Sequence, residues 1–309
     1  MTRSLISIDG STDIYSIMFV SHAHADHIRY IESRAKIISS ERTYDLASAR
    51  RRLKAERFIP RNIELLPAGH ILGSTQLLLH NYAMGLDIIY SGDFNLASNP
   101  VAEKIIIKEA DVLIIDSTYY DPSIRFEDRE DVYERIIEFV ESKRDSFIVF
   151  RSYSLGKAQE LIYIMNKAGI VPYVDSNIAK INEVYNKNGF CLRYQHIDLK
   201  DLEPNVIIYS KLNVDILKSY IKIRYNKDVY TAVATGMIYR YGLMRNDYGF
   251  GLSDHADFYQ AIDYINSVNP RLILTYGNDK VKFARYLKAY GYNAIPFSEI
   301  YYSYLVADD

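Results

Sequence analysis

Residues Phe19-Val20-Ser21-His22-Ala23-His24-Ala25-Asp26-His27 place four metal-ligating side chains within six positions. His22 and His24 are two apart, so at the end of an extended strand both point to one side. Asp26 and His27 follow as the chain turns, and the alanines between them leave room. Neutral imidazoles with a carboxylate suit zinc and similar divalent ions. A lone histidine is more often a surface or satisfied core residue. Three of the chain's seven histidines packed beside an aspartate argue against that bland reading.

Further candidates come from loops. Pro67-Ala68-Gly69-His70-Ile71-Leu72-Gly73-Ser74 is a glycine-bracketed loop holding one histidine, and Tyr90-Ser91-Gly92-Asp93-Phe94 ends a strand in an aspartate. A metal site needs ligands on loops fixed by a sheet, with backbone that can approach closely. Asp116 leaves an almost wholly apolar strand, 111–115, of the kind covered on both faces. It reads as a catalytic carboxylate or as a helix cap. Asp9, before Gly10, reads equally as a second acceptor behind the histidines or as a turn residue. His255 lies in Leu252-Ser253-Asp254-His255-Ala256-Asp257-Phe258. His80 and His196 fit no constellation and read as structural.

The elements that must hold these residues follow from periodicity. Strands are expected at 4–8, 17–21, 75–82 and 86–91, the last two as a hairpin around Met84-Gly85. A helix is expected over 40–56, capped by Ser39 or Ser40, with Leu46, Ala49 and Leu53 at helical spacing. It would carry Arg50, Arg51, Arg52 and Lys54, with Arg57 and Arg61 beyond, as a solvated face or a phosphate-contacting one. From about 122 to 235, strands alternate with helices, which implies a parallel sheet with covering helices. Within it, Ser152-Tyr153-Ser154-Leu155-Gly156-Lys157 opens a helix, where free N–H groups favour an anion, though the spacing is not that of a Walker loop.

Composition bounds the rest. The 309 residues carry a formal net charge of −2, so a polyanion site has to be a local groove. One cysteine, Cys191, excludes an internal disulfide and a thiolate zinc cage. No apolar run approaches a membrane span, and residues 1–20 lack the basic start and cleavage site of a signal peptide. A cytoplasmic protein without membrane contact is expected.

The ordered set Asp9; His22, His24, Asp26, His27; His70; Asp93 resembles the metallo-β-lactamase superfamily, whose H-x-H-x-D-H signature is specific. Asp116 in Ile-Asp-Ser-Thr-Tyr, the Tyr-Ser-Leu-Gly-Lys loop, Thr235-Gly236 and His255 in Ser-Asp-His-Ala-Asp look like its β-CASP nuclease branch. The resemblance covers essentially the whole chain. It implies an α/β protein in which a metallo-β-lactamase αββα sandwich (1–121 and 236–309) is interrupted by an inserted α/β β-CASP domain (122–235) with a mostly parallel sheet. It implies a zinc-dependent nuclease with His22, His24, His70 and Asp93 on a first zinc. Asp26 and His27 face a second site, with Asp93 bridging. Asp26, Asp116 and His255 form the catalytic set, the last two paired off the metal. Ser154, Gly156, Lys157 and Gly236 are candidates to grip a phosphate. RNA-processing members usually end the last core strand with a metal-binding histidine. Tyr276 stands there instead; DNA repair members also lack that histidine, and one firmly held zinc with a weak or empty second site is expected. Single-stranded DNA is the favoured substrate, with RNA as the alternative. A small-molecule hydrolase would not need the insert. An inactive scaffold is disfavoured by the intact first site.

Overall fold

The apolar runs of the sequence become strands whose two faces are both used. The computed structural model describes residues 4–10, 17–33, 36–81, 85–211, 213–297 and 305–307. The protein is α/β, with mixed and parallel sheets, and falls into two compact units: Met1–Arg125 with His255–Asp309, and Phe126–Asp254. The turn expected at Met84 lies outside the described residues. Among the described residues no helix is long and apolar enough to cross a membrane.

In the first unit, β1 (Ser4–Ile8), β2 (Ile17–Phe19), β3 (Lys36–Ile38) and β4 (Glu56–Arg57) form a parallel sheet, joined antiparallel at one edge by Leu305–Ala307. A second sheet contains β5 (Ile63–Pro67), β6 (Thr75–Leu79), β7 (Ile88–Tyr90) and β8 (Val112–Asp116), then strands Leu272–Tyr276 and Ala294–Pro296. Alternation explains its apolar runs. Leu77, Leu79 and Ile114 pack with Ile8, Phe19 and Ile38 of the first sheet. Leu78, Leu113 and Ile115 pack on the opposite face with Phe258, Tyr264 and Ile265 of helix Phe258–Val268 and Phe283 of helix Lys280–Ala289.

The helix expected over 40–56 is shorter. α1 runs Glu41–Arg50, capped by Ser40, whose Oγ accepts from the Thr43 amide at 3.0 Å. At Arg51 the backbone becomes extended. A continued helix would set Arg50 and Lys54 at i, i+4, a like-charge pair on one face. The chain instead turns back, Ala55 is buried, and its carbonyl accepts from the Tyr44 hydroxyl at 3.0 Å. Arg51 pairs with Glu32 at 2.8 Å. His80 lies 3.3 Å from both Glu64 and Asp87, a surface ion cluster.

The second unit has α2 (Arg129–Glu141), β9 (Phe147–Arg151), α3 (Lys157–Lys167), β10 (Tyr173–Val174), α4 (Ser176–Lys187), β11 (Gln195–His196), β12 (Val206–Tyr209), α5 (Val214–Tyr225), β13 (Val229–Ala234) and β14 (Tyr248–Phe250). Its six strands are all parallel in the order β11-β10-β12-β9-β13-β14. The unit extends past residue 235, where the sequence reading ends the insert, because β14 pairs with β13 and carries residues 236–254 with it. That segment shows no alternation in sequence, so its strand was not foreseen.

Asp175 ties β10, α4 and β12 together. It accepts from the Asn177 amide at 2.8 Å and the Ser210 amide at 2.6 Å. Asp175→Ala removes a helix cap and leaves the half-buried Ser210 amide without its acceptor, so we expect a loss of about 1–3 kcal/mol. Urea denaturation of the full chain followed by circular dichroism measures it, and an unchanged midpoint contradicts this account.

Candidate metal centre

The strands deliver the histidines by pinning the backbone around Ser21. Its amide donates to Asp9 Oδ1 at 2.7 Å, and its carbonyl accepts from the Thr75 amide of the second sheet at 2.9 Å. Both sheets therefore fix the point from which His22 and His24 project. Gly10 makes the next turn possible. Its φ is +62°, its amide donates to the His27 carbonyl at 2.8 Å, and a Cβ there would fall 2.1 Å from the Asp26 carbonyl oxygen. Only glycine combines that conformation with that approach. His70 sits in a loop held internally by Ser74, whose Oγ accepts from the His70 amide at 3.2 Å. The loop is gripped from outside by α1, where Ser40 and Thr43 hydroxyls donate to the Gly73 carbonyl at 2.6 and 2.7 Å. Asp93 follows β7 through Gly92, which is packed against Ser21 so closely that a Cβ would lie 2.8 Å from the serine Cβ.

Four donor atoms converge. His22 Nε2 lies 2.9 Å from His24 Nδ1, which lies 3.1 Å from His70 Nε2. Asp93 Oδ2 is 3.5 Å from His22 Nε2 and 3.7 Å from His70 Nε2. A tetrahedral ion with bonds of about 2.0–2.1 Å separates neighbouring donors by about 3.3 Å. The observed separations bracket that value, and three imidazoles with one carboxylate are a fitting donor set for a divalent ion. These four residues thus form a candidate site for a divalent metal ion.

His27 bridges two carboxylates. Its Nδ1 lies 3.2 Å from Asp9 Oδ2 and its Nε2 lies 3.5 Å from Asp93 Oδ2. Asp9 also accepts from the Tyr90 hydroxyl at 2.9 Å, so it stands behind the histidine cluster as an orienting acceptor, the reading its sequence context left open. Asp26 is at the rim: its side chain is 73% exposed and 3.7 Å from His27 Nε2. Charge and burial act together on these groups. Burial, then the neighbouring His27, push His22 well below the usual imidazole range, which keeps it neutral as a metal requires. Burial opposes charging of His27, but Asp93 and Asp9 outweigh it and hold its pKa well above 6.5. Burial likewise opposes the Asp93 carboxylate, yet His27 and His255 hold it well below 3.8.

Asp116 and His255 meet beside this centre. His255 Nδ1 is 3.7 Å from Asp116 Oδ2, and its Nε2 is 3.9 Å from Asp93 Oδ2. Opposite ring nitrogens therefore face the two carboxylates. Asp116 is itself held by Thr118 Oγ1 at 2.9 Å and through its amide by Ser91 Oγ at 3.1 Å. Asp93, Asp116 and His255 are also close enough together to bind an ion, a grouping that the sequence did not suggest. Tyr276 packs its ring edge-on to Tyr90 with centroids 5.4 Å apart.

The remaining candidates lie in the second unit. Ser154, Gly156 and Lys157 follow the C-terminal end of β9, and Gly236 follows that of its parallel neighbour β13. Such strand ends are where α/β sheets bind ligands. The Gly156 amide donates to Gln159 Oε1 at 2.8 Å, and the Ser154 carbonyl accepts from Gln159 Nε2 at 3.1 Å. Lys157 is buried and bonded to the carboxylates of Glu160 and Asp254. Its partner Glu160, and the Arg129 and Tyr133 that also bond Glu160, were missed; the one sequence signal was the i, i+3 spacing of Lys157 and Glu160.

Because Asp9 orients His27 and pins Ser21, Asp9→Asn keeps the shape but removes the charge. We expect zinc affinity to fall roughly 10- to 100-fold in competition with a chromogenic chelator. Undiminished affinity would show that Asp9 is a turn residue and nothing more.

No family model matches the chain. A probable DNA ligase of Opitutus terrae is 30% identical over 301 residues, covering 91% of this chain and 28% of the ligase. The DNA cross-link repair protein SNM1 of Arabidopsis thaliana is 22% identical over 84% of this chain and 60% of its own length. An RNase J-like protein of Methanocaldococcus jannaschii is 32% identical over 42% of this chain and 34% of its own. The chain thus spans less than two thirds of each of these relatives. A crystal structure of a protein of unknown function from Enterococcus faecalis V583 superposes with a TM-score of 0.58 over 84% of this chain and 74% of that one; at 14% identity the likeness concerns the fold. With relatives of both the SNM1 and RNase J kinds, and with the histidine–aspartate centre in place, the chain resembles the β-CASP nuclease branch of the metallo-β-lactamase superfamily.

Proposed function

We propose that this chain is a zinc-dependent nuclease that hydrolyses phosphodiester bonds, acting on DNA as a repair-type exonuclease. In this reading the first unit is the metallo-β-lactamase αββα sandwich and Phe126–Asp254 is the β-CASP insert. The observation that carries it is the Asp116–His255 pair set against Asp93, one of the four donors of the metal site. His22, His24, His70 and Asp93 would hold one zinc firmly. Asp26, His27 and Asp93 face a second position that Tyr276 leaves weak or empty. Zinc supplies a Lewis acid that neutralises charge on phosphate oxygens and makes water nucleophilic near neutral pH.

The chain's own residues do the rest. Asp116 holds the Nδ1 side of His255, which leaves Nε2 turned toward the centre. From there a protonated His255 delivers its Nε2 proton to the departing oxygen of the cleaved ester. Asp93 beside that nitrogen keeps a negative charge near it. Ser154, Gly156 and Gly236, at adjacent strand ends, are the candidates for phosphate contact. The ligase and SNM1 likenesses support DNA, for which single strands are the form proposed, whereas the RNase J-like relative supports RNA as the second reading. Soluble, cytoplasmic action fits either.

Matched DNA and RNA oligonucleotides, 5′-phosphorylated and labelled at either end, test the proposal. Cleavage of DNA that a chelator abolishes is expected. Cleavage of RNA alone would move the assignment to the second reading, and cleavage of neither would overturn it. His255→Ala should abolish cleavage while retaining one zinc equivalent after dialysis. Loss of that zinc would refute the off-metal role of His255, and two retained equivalents in the parent protein would refute the weak second site.

A further inference from the structure

Glu160 is 0% exposed, one turn into α3, and an acid so placed needs its charge met within the protein. Both carboxylate oxygens are engaged. Oε1 accepts from Arg129 and from the Tyr133 hydroxyl at 2.6 Å, while Oε2 accepts from Lys157. Each cation then reaches onward. Arg129 donates to the Ser253 carbonyl at 2.7 Å, and Lys157 Nζ donates to Asp254 Oδ1 at 2.8 Å. Two cations and two carboxylates balance, and the two arms end on consecutive residues. The next residue along the chain is His255.

A buried ion cluster is a poor source of stability, because desolvation offsets much of its attraction and apolar residues of similar volume do as well. What it supplies is fixed geometry, since hydrogen bonds between charged groups are directional. Here those directions come from α2, which carries Arg129 and Tyr133, and from α3, which carries Lys157 and Glu160. They bear on a segment, Gly251 to Asp254, that follows the end of β14 and has no regular structure of its own. The Lys157 side chain is 6% exposed and turned to two carboxylates, which is a different task from gripping a phosphate.

We infer that Lys157, Glu160 and Arg129 are positioning residues: they fix Ser253 and Asp254, and through the following peptide bond they set where the His255 imidazole stands. The inference rests on the role proposed above for His255. An exit residue of a sheet can swing by an ångström when its anchor is lost, and a misplacement of that size at a proton donor costs turnover rather than binding.

The test uses the full chain loaded with zinc, as Lys157→Met, Lys157→Arg and Glu160→Gln. Zinc content, kcat and KM on a labelled 5′-phosphorylated oligonucleotide, and the NMR resonance of the His255 ring, assigned with His255→Ala, are measured for each. For Lys157→Met we expect unchanged zinc, KM within about twofold, kcat down roughly 10- to 100-fold, and a displaced His255 resonance. Glu160→Gln should act in the same direction, and Lys157→Arg should restore much of kcat. A raised KM with kcat kept would overturn the inference and return Lys157 to the phosphate. Unchanged kinetics with an unmoved His255 resonance would overturn it too, leaving the cluster a matter of folding alone. Should Lys157→Met fail to fold, Lys157→Arg and Glu160→Gln decide by the same readouts. If the parent protein cleaves nothing, the nuclease reading fails, and the His255 resonance still decides whether the cluster positions that ring.

Discussion

The fold is organised by one carboxylate that water barely reaches. Asp93 has His22, His27, His70 and His255 around a single oxygen, at 3.5, 3.5, 3.7 and 3.9 Å. An ionised carboxylate is costly to bury unless cations or donors meet it. Donor atoms of several imidazoles that face one another without protons between them are equally costly unless something positive stands among them. The two costs cancel when the group surrounds a cation. The four contributing segments come from distant points in the chain, so the sheets have to bring them to one place before that cancellation is available.

The sheets do so through contacts that leave little freedom. The first sheet ends at Ser21, the second sheet takes the Ser21 carbonyl at Thr75, and Asp9 takes its amide. Gly10 and Gly92 let neighbouring turns touch where any side chain would intrude. α1 contributes from outside by holding Gly73, and with it the loop that bears His70. Ligands placed by strand ends and clamped loops keep their geometry without reorganising, which is what an electrostatic site needs.

Much of this was legible in the sequence because the signals were local and dense. His22, His24, Asp26 and His27 occupy six positions, and the strand 111–115 is apolar on both faces because β8 is packed on both. The strand–helix alternation after residue 122 became a parallel sheet for the same reason: each run carries its own periodicity. What was not legible depended on partners far away. The end of α1 is set by where Ala55 must be buried, and β14 exists because β13 offers it an edge, although its own sequence has no alternation. Asp9 could be told from a turn residue only once His27 and Tyr90 were seen beside it.

Lys157 shows why a short motif has to be read together with its surroundings. A serine–glycine–lysine loop that opens a helix has the local marks of an anion site: free amides, a favourable dipole and a positive charge. Whether the charge is available depends on the acids nearby, and none of those is within the motif. Glu160 lies one turn beyond it and Asp254 almost a hundred residues on. Once both are counted with Arg129, the two cations and two carboxylates balance, and the Lys157 charge is met within the protein. The same counting applies to Asp93, whose burial looks prohibitive until its four imidazoles are included. In both places the function of an ionised residue follows from the whole set of charges buried with it rather than from its neighbours in sequence.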